Sequence, residues 1–457
     1  MSAAEIFVRL TQWIRSKRSM DKSTTQQLFA FIEKSPTAFH AVNTMAEELK
    51  TAGYRQLLES EEWNLERGGR YFVERGGSAI LAFRMPESDW HGFQIMASHC
   101  DSPMFKIKEN PEMEAEGHYV RLNVEKYGGM LCAPWFDRPL SVAGRLIIRT
   151  ENGIQTRLCD AGRDLLMLPS LAIHMNRQAN EGTKYQMQKE FLPLYGDERA
   201  KGQFLAQMAE CAGVRQEDIL SYDLYVYSRM PGTVWGANQE YMSIGRLDDL
   251  QCAFASLKAF LSSGTGHSIP VHCVFDNEEV GSSTAQGAAS TFLLDTLTRI
   301  CESLGLGMAE YRRCLASSFM VSADNAHAVH PNYPEKACPT NRPYMNHGIV
   351  IKYSANQKYT TDGVSASLFR LICERAGAKV QTFVNHADVP GGSTLGNISG
   401  TQVALHTVDV GLPQLAMHSP YETAGVQDTD TLIRAARYFF ESSVKEIGSG
   451  QYCILHE

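Results

Sequence analysis

The sequence predicts an α/β protein in which a mostly parallel sheet, covered by helices, is interrupted by a β-rich insertion. Three observations lead there. From Tyr241 onward, short apolar strand-type runs alternate with helix-type periodicity, the pattern of strand–helix–strand crossovers in a parallel sheet. Between residues 111 and 236 the pattern changes to hairpin-like runs. The chain has 457 residues, 44% hydrophobic and 21% charged, enough to furnish more than one core at ~100–200 residues per domain. The expected organisation is a first α/β part over 1–110, the insert over 111–236 and a second α/β part over 237–457.

The amino-terminal part reads as helices. Leu28, Phe31 and Ile32 fall at i, i+3 and i+4, Ser35-Pro36 breaks the run, and Phe39 to Leu49 resumes it. YFVE, SAILAFRM and GFQIMASHC follow as strands, and the last ends in titratable residues, as a strand does when it delivers side chains to a site at its carboxyl end. In the insert, VRLNVEKYGGM and SVAGRLIIRT read as strands, and Glu151-Asn152-Gly153 between apolar runs is a hairpin signal. Beyond it, LDDLQCAFASLKAFL reads as a helix with an acidic amino terminus. IPVHCVFDNEEVGSS, SSFMVSADNAH and KVQTFVNHADVPGGSTLG each read as a strand running into a polar loop.

Composition excludes several functions. With 43 Lys plus Arg against 51 Asp plus Glu, the net charge of −8 argues against a general nucleic-acid binder. No stretch approaches the ~18 uncharged apolar residues of a membrane span, and the first residues, MSAAEIFVRLTQWIRSKRSMDKST, mix apolar and basic residues at helical spacing without the apolar core of a secretory signal. Eleven cysteines without a Cys-x-x-Cys pair suit a reduced chain, so the expected compartment is the cytoplasm.

No phosphate-binding glycine loop, H-E-x-x-H or G-x-S-x-G is present. What remains is a set of clusters at or near strand ends: His99-Cys100-Asp101, Asp248-Asp249, Glu278-Glu279, Asp324 and His418. Singly each is ordinary, since an Asp after a strand usually caps a turn and an isolated His is usually a satisfied one. Two adjacent glutamates closely following the apolar run Val271 to Phe275 are less ordinary, because like charges at a buried strand end repel unless a cation neutralises them. Zn²⁺ suits a mixed His/Asp/Glu set, and Mn²⁺ or Co²⁺ would accept it too. Two ions ~3.5–4 Å apart need a bridging carboxylate, further His and acidic ligands, and a free carboxylate as general base. The clusters supply them all.

The stretches ASHCDSP, RLDDL, FDNEEVGSS, SADNAHAVHPNY, IKYSANQKYTTD, VPGGSTLG and AMHSPYE, in that order and together with the early KSPTAFHAV, resemble the M18 family of metalloaminopeptidases, the group containing aspartyl aminopeptidase. The resemblance covers nearly the whole chain. It implies a di-zinc exopeptidase catalytic domain with an inserted assembly domain, two Zn²⁺ per subunit, and peptide substrates. It also implies a homo-oligomer, a dodecamer in the family. His99 and Asp324 would serve one ion, Glu279 and His418 the other, with Asp248 bridging and Asp101 orienting His99. Glu278 would be the general base. His174, in LPSLAIHMNR, would contact substrate across a subunit boundary, and Lys352 would lie near the substrate. Gly391-Gly392-Ser393-Thr394 would shape the pocket wall. The resemblance leaves His327, His330 and His386 out of the ligand set. Where animal aspartyl aminopeptidases read MHSIRE, this chain reads MHSPYE, without the arginine. A two-metal carboxypeptidase or amino-acid deacylase, and a non-catalytic assembly or cargo protein retaining the fold, are the alternative readings.

Overall fold

The computed structural model describes residues 24–264 and 266–456. The amphipathic run over 1–23 lies outside the described residues. Helices over 24–33 and Ala38–Thr51 open the chain. Strands β1 (Arg55–Leu57), β2 (Arg70–Arg75), β3 (Ala79–Arg84) and β4 (Phe93–His99) follow. The chain then leaves for a second sheet, made of β5 (Met104–Ala115), β6 (Tyr119–Tyr127), β7 (Leu140–Thr150), β8 (Gly153–Asp160), β9 (Leu194–Asp197) and β10 (Ile219–Ser228). It returns through β11 (Thr233–Trp235) and β12 (Tyr241–Ile244), then β13 (Ile269–Phe275), β14 (Phe319–Ala323), β15 (Ala326–His327), β16 (Ile349–Tyr353) and β17 (Val380–Val384). The last strands are β18 (His406–Gly411), β19 (Pro413–Leu415), β20 (Glu422–Gly425), β21 (Ser442–Gly448) and β22 (Gln451–His456).

Among the described residues the main sheet has nine strands in the order β1-β2-β3-β13-β4-β14-β18-β16-β17. Its centre, β13-β4-β14-β18, is parallel throughout. It is less uniformly parallel than the sequence predicts, because β2–β3, β3–β13 and β16–β18 pair antiparallel. For β2 and β3 the reason is local: Gly76 and Gly77, both at positive φ, make a turn too short for a crossover helix.

Period-two alternation sends successive side chains of the central strands into two cores. Met96 and Val274 face the core built by the helices Leu247–Ser262, Gly363–Arg375 and Asp428–Phe440. Ile95, Ala97, Cys273 and Phe275 face the one closed by the helix Phe292–Ser303. That helix buries Phe292, Leu293, Leu297 and Ile300 on one face, each contributing ~1.5–3 kcal/mol by leaving water.

The second sheet is antiparallel, ordered β8-β7-β10-β5-β6-β9. It has its own core, where Phe105 lies 4.9 Å from Trp135 and 5.3 Å from Phe191 between ring centroids. The sheet starts at Met104 rather than at residue 111, since β5 begins almost directly after the strand-end cluster of β4. The expected hairpin is present, with Thr150 opposite Gly153. A third sheet, β11-β12-β20-β19-β15, brings β20 against β12. It draws the loop before β20, with His418, toward the Asp248 turn. No described helix is long and apolar enough to cross a membrane.

Candidate metal centre

Sheet register assembles the site. In the parallel centre Phe275 pairs with His99, and Ser322 with Ala97, so β13, β4 and β14 end at one level. Past those ends lie Glu278 and Glu279, then His99 with Asp101, then Asp324. Asp248 enters from the first turn of the helix Leu247–Ser262, where the predicted regular helix is broken: Asp248 and Asp249 have non-helical backbone angles. This turns both carboxylates to the strand ends, where Asp249 Oδ2 accepts from His99 N at 3.2 Å.

Asp248 stands at the centre. Its Oδ1 is 3.5 Å from His99 Nε2 and its Oδ2 is 3.4 Å from His418 Nε2. His418 Nε2 is also 3.3 Å from Glu279 Oε2. Ligand atoms of His99, Asp248 and Asp324 lie within 4.8 Å of one another, as do those of Asp248, Glu279 and His418, and those of His99, Glu278 and Glu279. All five residues expected as ligands, with Glu278, are therefore in one place.

The donor set fits divalent cations. Among the described residues no hydrogen bond reaches Asp248 Oδ1 or Glu279 Oε1, although both are buried, and an orphaned buried acceptor costs ~1–3 kcal/mol or more when charged. Burial, reinforced by Asp324, Asp248 and Asp101, pushes Glu278 up to about 8. Burial and then Asp248 hold Glu279 well above the carboxylate range. Burial would raise Asp248 too, but His418 and His99 outweigh it and keep it low. Excess negative charge that cannot reach water is what bound cations relieve.

Around this cluster the outer contacts differ from the sequence expectation at Asp101. His99 Nδ1 bonds the Asp101 main-chain oxygen at 3.1 Å, while Asp101 Oδ1 is 3.3 Å away. The carboxylate is already engaged: it accepts from Glu278 N and Glu279 N, each at 3.1 Å, and from the Tyr127 hydroxyl at 2.7 Å. Asp101 thus holds the glutamate turn as well as the imidazole. Glu422 braces the other side, accepting from Asp248 N at 3.1 Å and His418 N at 2.8 Å.

A cavity of about 200 Å³ opens before the cluster, lined by Asp248, Glu278, Asp324, His418, Lys352, Tyr359, Phe383, Met417 and residues 392–394. Buried Lys352 donates to Asn325 O at 3.0 Å, lies 3.6 Å from Asp324 Oδ1 and stands 5.5 Å over the Tyr359 ring. Burial would lower its pKa, but Asp324 outweighs that and keeps it charged.

His174 is the exception. It is exposed on a loop of the insert and does not line the cavity of its own chain. Its neighbours Leu171, Ile173 and Met175 are 61%, 48% and 76% exposed, so the apolar run that looked like core faces solvent. His386, His330 and His327 stay outside the ligand groups, as expected, although His327 lines the cavity. Sequence reasoning passed over Glu422 and Tyr127. Glu422 had a signal, its place in AMHSPYE, whereas Tyr127 reaches the site only through the fold of the insert. Tyr421, where animal relatives have arginine, bonds Thr233 Oγ1 and Pro231 O and does not line the cavity.

A carboxylate and imidazole cluster at the carboxyl ends of parallel strands, facing a cavity, defines an α/β metallohydrolase. The family model described as aminopeptidase I zinc metalloprotease (M18) matches residues 31–440, and the chain belongs to that family. A probable M18 family aminopeptidase 2 of Clostridium novyi (strain NT) is 44% identical over 410 residues, covering 88% of this chain and 95% of its own. Among solved structures, the Ape4 and Nbr1 complex aligns with a TM-score of 0.89 at 35% identity, covering 92% of this chain and 86% of that one. The mApe1 dodecamer of S. cerevisiae aligns at 0.80 and 27%, covering 91% and 96%. The chain is a zinc-dependent metalloaminopeptidase, which sets aside the carboxypeptidase, deacylase and scaffold readings.

Proposed function

We propose that the enzyme removes single amino-terminal residues, with a preference for Asp and Glu, through a site for two divalent ions. His99 and Asp324 would hold one ion, Glu279 and His418 the other, and Asp248 would bridge them. The observation that carries this reading is Asp248, whose two oxygens face two different histidines. When bound, the ions supply Lewis acidity, lowering a water's pKa and polarising the scissile carbonyl.

The protein's own groups do the rest. Glu278, in the cavity wall, takes the proton of the attacking water and returns one to the leaving amine. Asp101 fixes the backbone turn from which the Glu278 side chain projects. Lys352 offers a fixed positive charge to an acidic first side chain, its ammonium standing over the Tyr359 ring in the cavity wall.

The reading extends to a homo-oligomer, a dodecamer as in the solved yeast relative, in a reducing cytoplasmic setting. Supporting these are the exposed apolar loop at 171–175 and eleven cysteines, all free. Initial rates on aminoacyl-p-nitroanilides of Asp, Glu, Leu and Lys, with chelator and with added Zn²⁺ or Mn²⁺, test the proposal. Chelator-sensitive release concentrated on Asp and Glu is expected. Release favouring Leu would remove the acidic preference and leave the two-ion site standing.

A further inference from the structure

The insert reaches the metal centre directly through the segment 127–131, at the end of β6. The Tyr127 hydroxyl donates to Asp101 Oδ2 at 2.7 Å and accepts from Asn277 Nδ2 at 2.9 Å. Asn277 Oδ1 in turn accepts from Thr284 Oγ1 at 2.8 Å, so the hydroxyl is fixed from both sides. Gly128, at φ +73, packs so closely that a Cβ there would stand 3.1 Å from Glu279 Cβ. The Gly129 carbonyl accepts the Nδ1 proton of His418, and Leu131 N donates to His418 O at 3.1 Å.

We infer that this segment is a positioning strap for both halves of the centre, with Tyr127 as a positioning residue acting through Asp101. The inference rests on the two-ion reading above. With Nδ1–H given to Gly129 O, the ring is held with Nε2 aimed at Asp248 and Glu279, the orientation a ligand needs. On the other side, Asp101 must accept from the amides of both 278 and 279 to set the base and its neighbouring ligand, and Tyr127 orients that carboxylate. Without the hydroxyl, Asp101 loses its shortest bond and keeps only the two 3.1 Å amide bonds against the pull of the His99 ring, 3.3 Å from Oδ1. The insert is therefore part of the active site as well as a separate β domain, and a distortion of its sheet is felt at the ions.

Tyr127→Phe deletes the hydroxyl and keeps the ring. Apo-enzyme titrated with Co²⁺, followed by the visible absorption of the bound ion, and Zn²⁺ affinity by competition with a chelating dye, read the centre without relying on turnover. Tyr127→Phe should bind more weakly by ~10-fold or more, with an altered Co²⁺ spectrum and a lower kcat at unchanged KM. Tyr222→Phe is the control, because among the described residues its hydroxyl bonds only the carbonyls of Lys108 and Glu109 inside the insert sheet. It removes a bond without displacing the strand backbone, so it should lower stability and leave affinity and spectrum as in wild type. The inference is overturned if Tyr127→Phe matches wild type in affinity and spectrum, or loses only thermal stability as Tyr222→Phe does. Failure of wild type to take up two ions would instead overturn the two-ion reading.

Discussion

Glu278 and Glu279 are adjacent in sequence, yet the proposed function gives them different tasks, and the difference is one of reach. Glu279 Oε2 lies 3.3 Å from His418, whereas Glu278 lines the cavity where a substrate carbonyl must sit. Glu278→Gln keeps the shape and removes the proton acceptor. It should cut kcat by ~10²–10⁴-fold while metal content and assembly mass stay at wild-type levels; near-normal turnover would mean that another group is the base. The strand-end carboxylates were legible because buried like charges need a reason. Asp101's hold on the glutamate amides and the cavity position of His327 were not, since both depend on how loops fold back after the strands. A second residue-scale prediction concerns His272, buried on β13 with Nδ1 bonded to Ser256 at 2.7 Å. Burial lowers its pKa to about 3, and burial lowers that of His40 to about 4. Both rings are neutral when folded and take protons readily when unfolded. Their contribution is complete above about pH 6.5 and is lost as pH falls toward 3–4, at up to about 1.4 kcal/mol per pH unit for each ring. Urea midpoints between pH 7 and 4 should fall accordingly, and His272→Gln should flatten part of that slope.

At the scale of elements, the strands were readable because a short apolar run ending abruptly in polar residues suits a buried strand that stops at the sheet's edge. Pairing direction was less so: nothing in YFVE or SAILAFRM states that the turn between them makes a hairpin until Gly76 and Gly77 are seen at positive φ. The helix at LDDLQC reads as regular by periodicity, yet the site requires its first turn to be broken at Asp248 and Asp249. Within the insert, β7 and β10 share the longest pairing, and Gly144 sits inside it opposite Leu224. A Cβ on Gly144 would run into the Asp223 carbonyl, so this strand position tolerates only glycine. Gly144→Ala should destabilise the insert by ~1–3 kcal/mol, seen as faster hydrogen exchange across β7 and β10. Because Tyr127 ties the same domain to Asp101, metal affinity should weaken with it. Unchanged affinity alongside faster exchange would show that the insert sheet and the centre are uncoupled.

For the whole molecule, the question is how an exposed apolar loop persists on a chain of net charge −8. Leu171, Ile173 and Met175 leave large apolar side chains in water, a patch that would suit the proposed assembly contact. The sequence could not show this, because the run Leu168 to Met175 reads equally well as core. His174 sits among them and lies outside its own chain's cavity, so any contact it makes with substrate must be in a neighbouring subunit. Ile173→Asp should therefore lower the assembly mass measured by light scattering and lower activity with it. Trans action is tested more sharply by mixing. On the proposed reading, His174→Ala and Glu278→Gln would each disable a different half of a shared site. Co-assembled in equal amounts, they should regain activity at about one quarter of the sites, where an intact Glu278 meets a neighbour's intact His174. Recovery toward that level would establish that one chain completes another's active site. A mixture no more active than its parents would confine catalysis to the single chain and leave the loop an assembly contact alone.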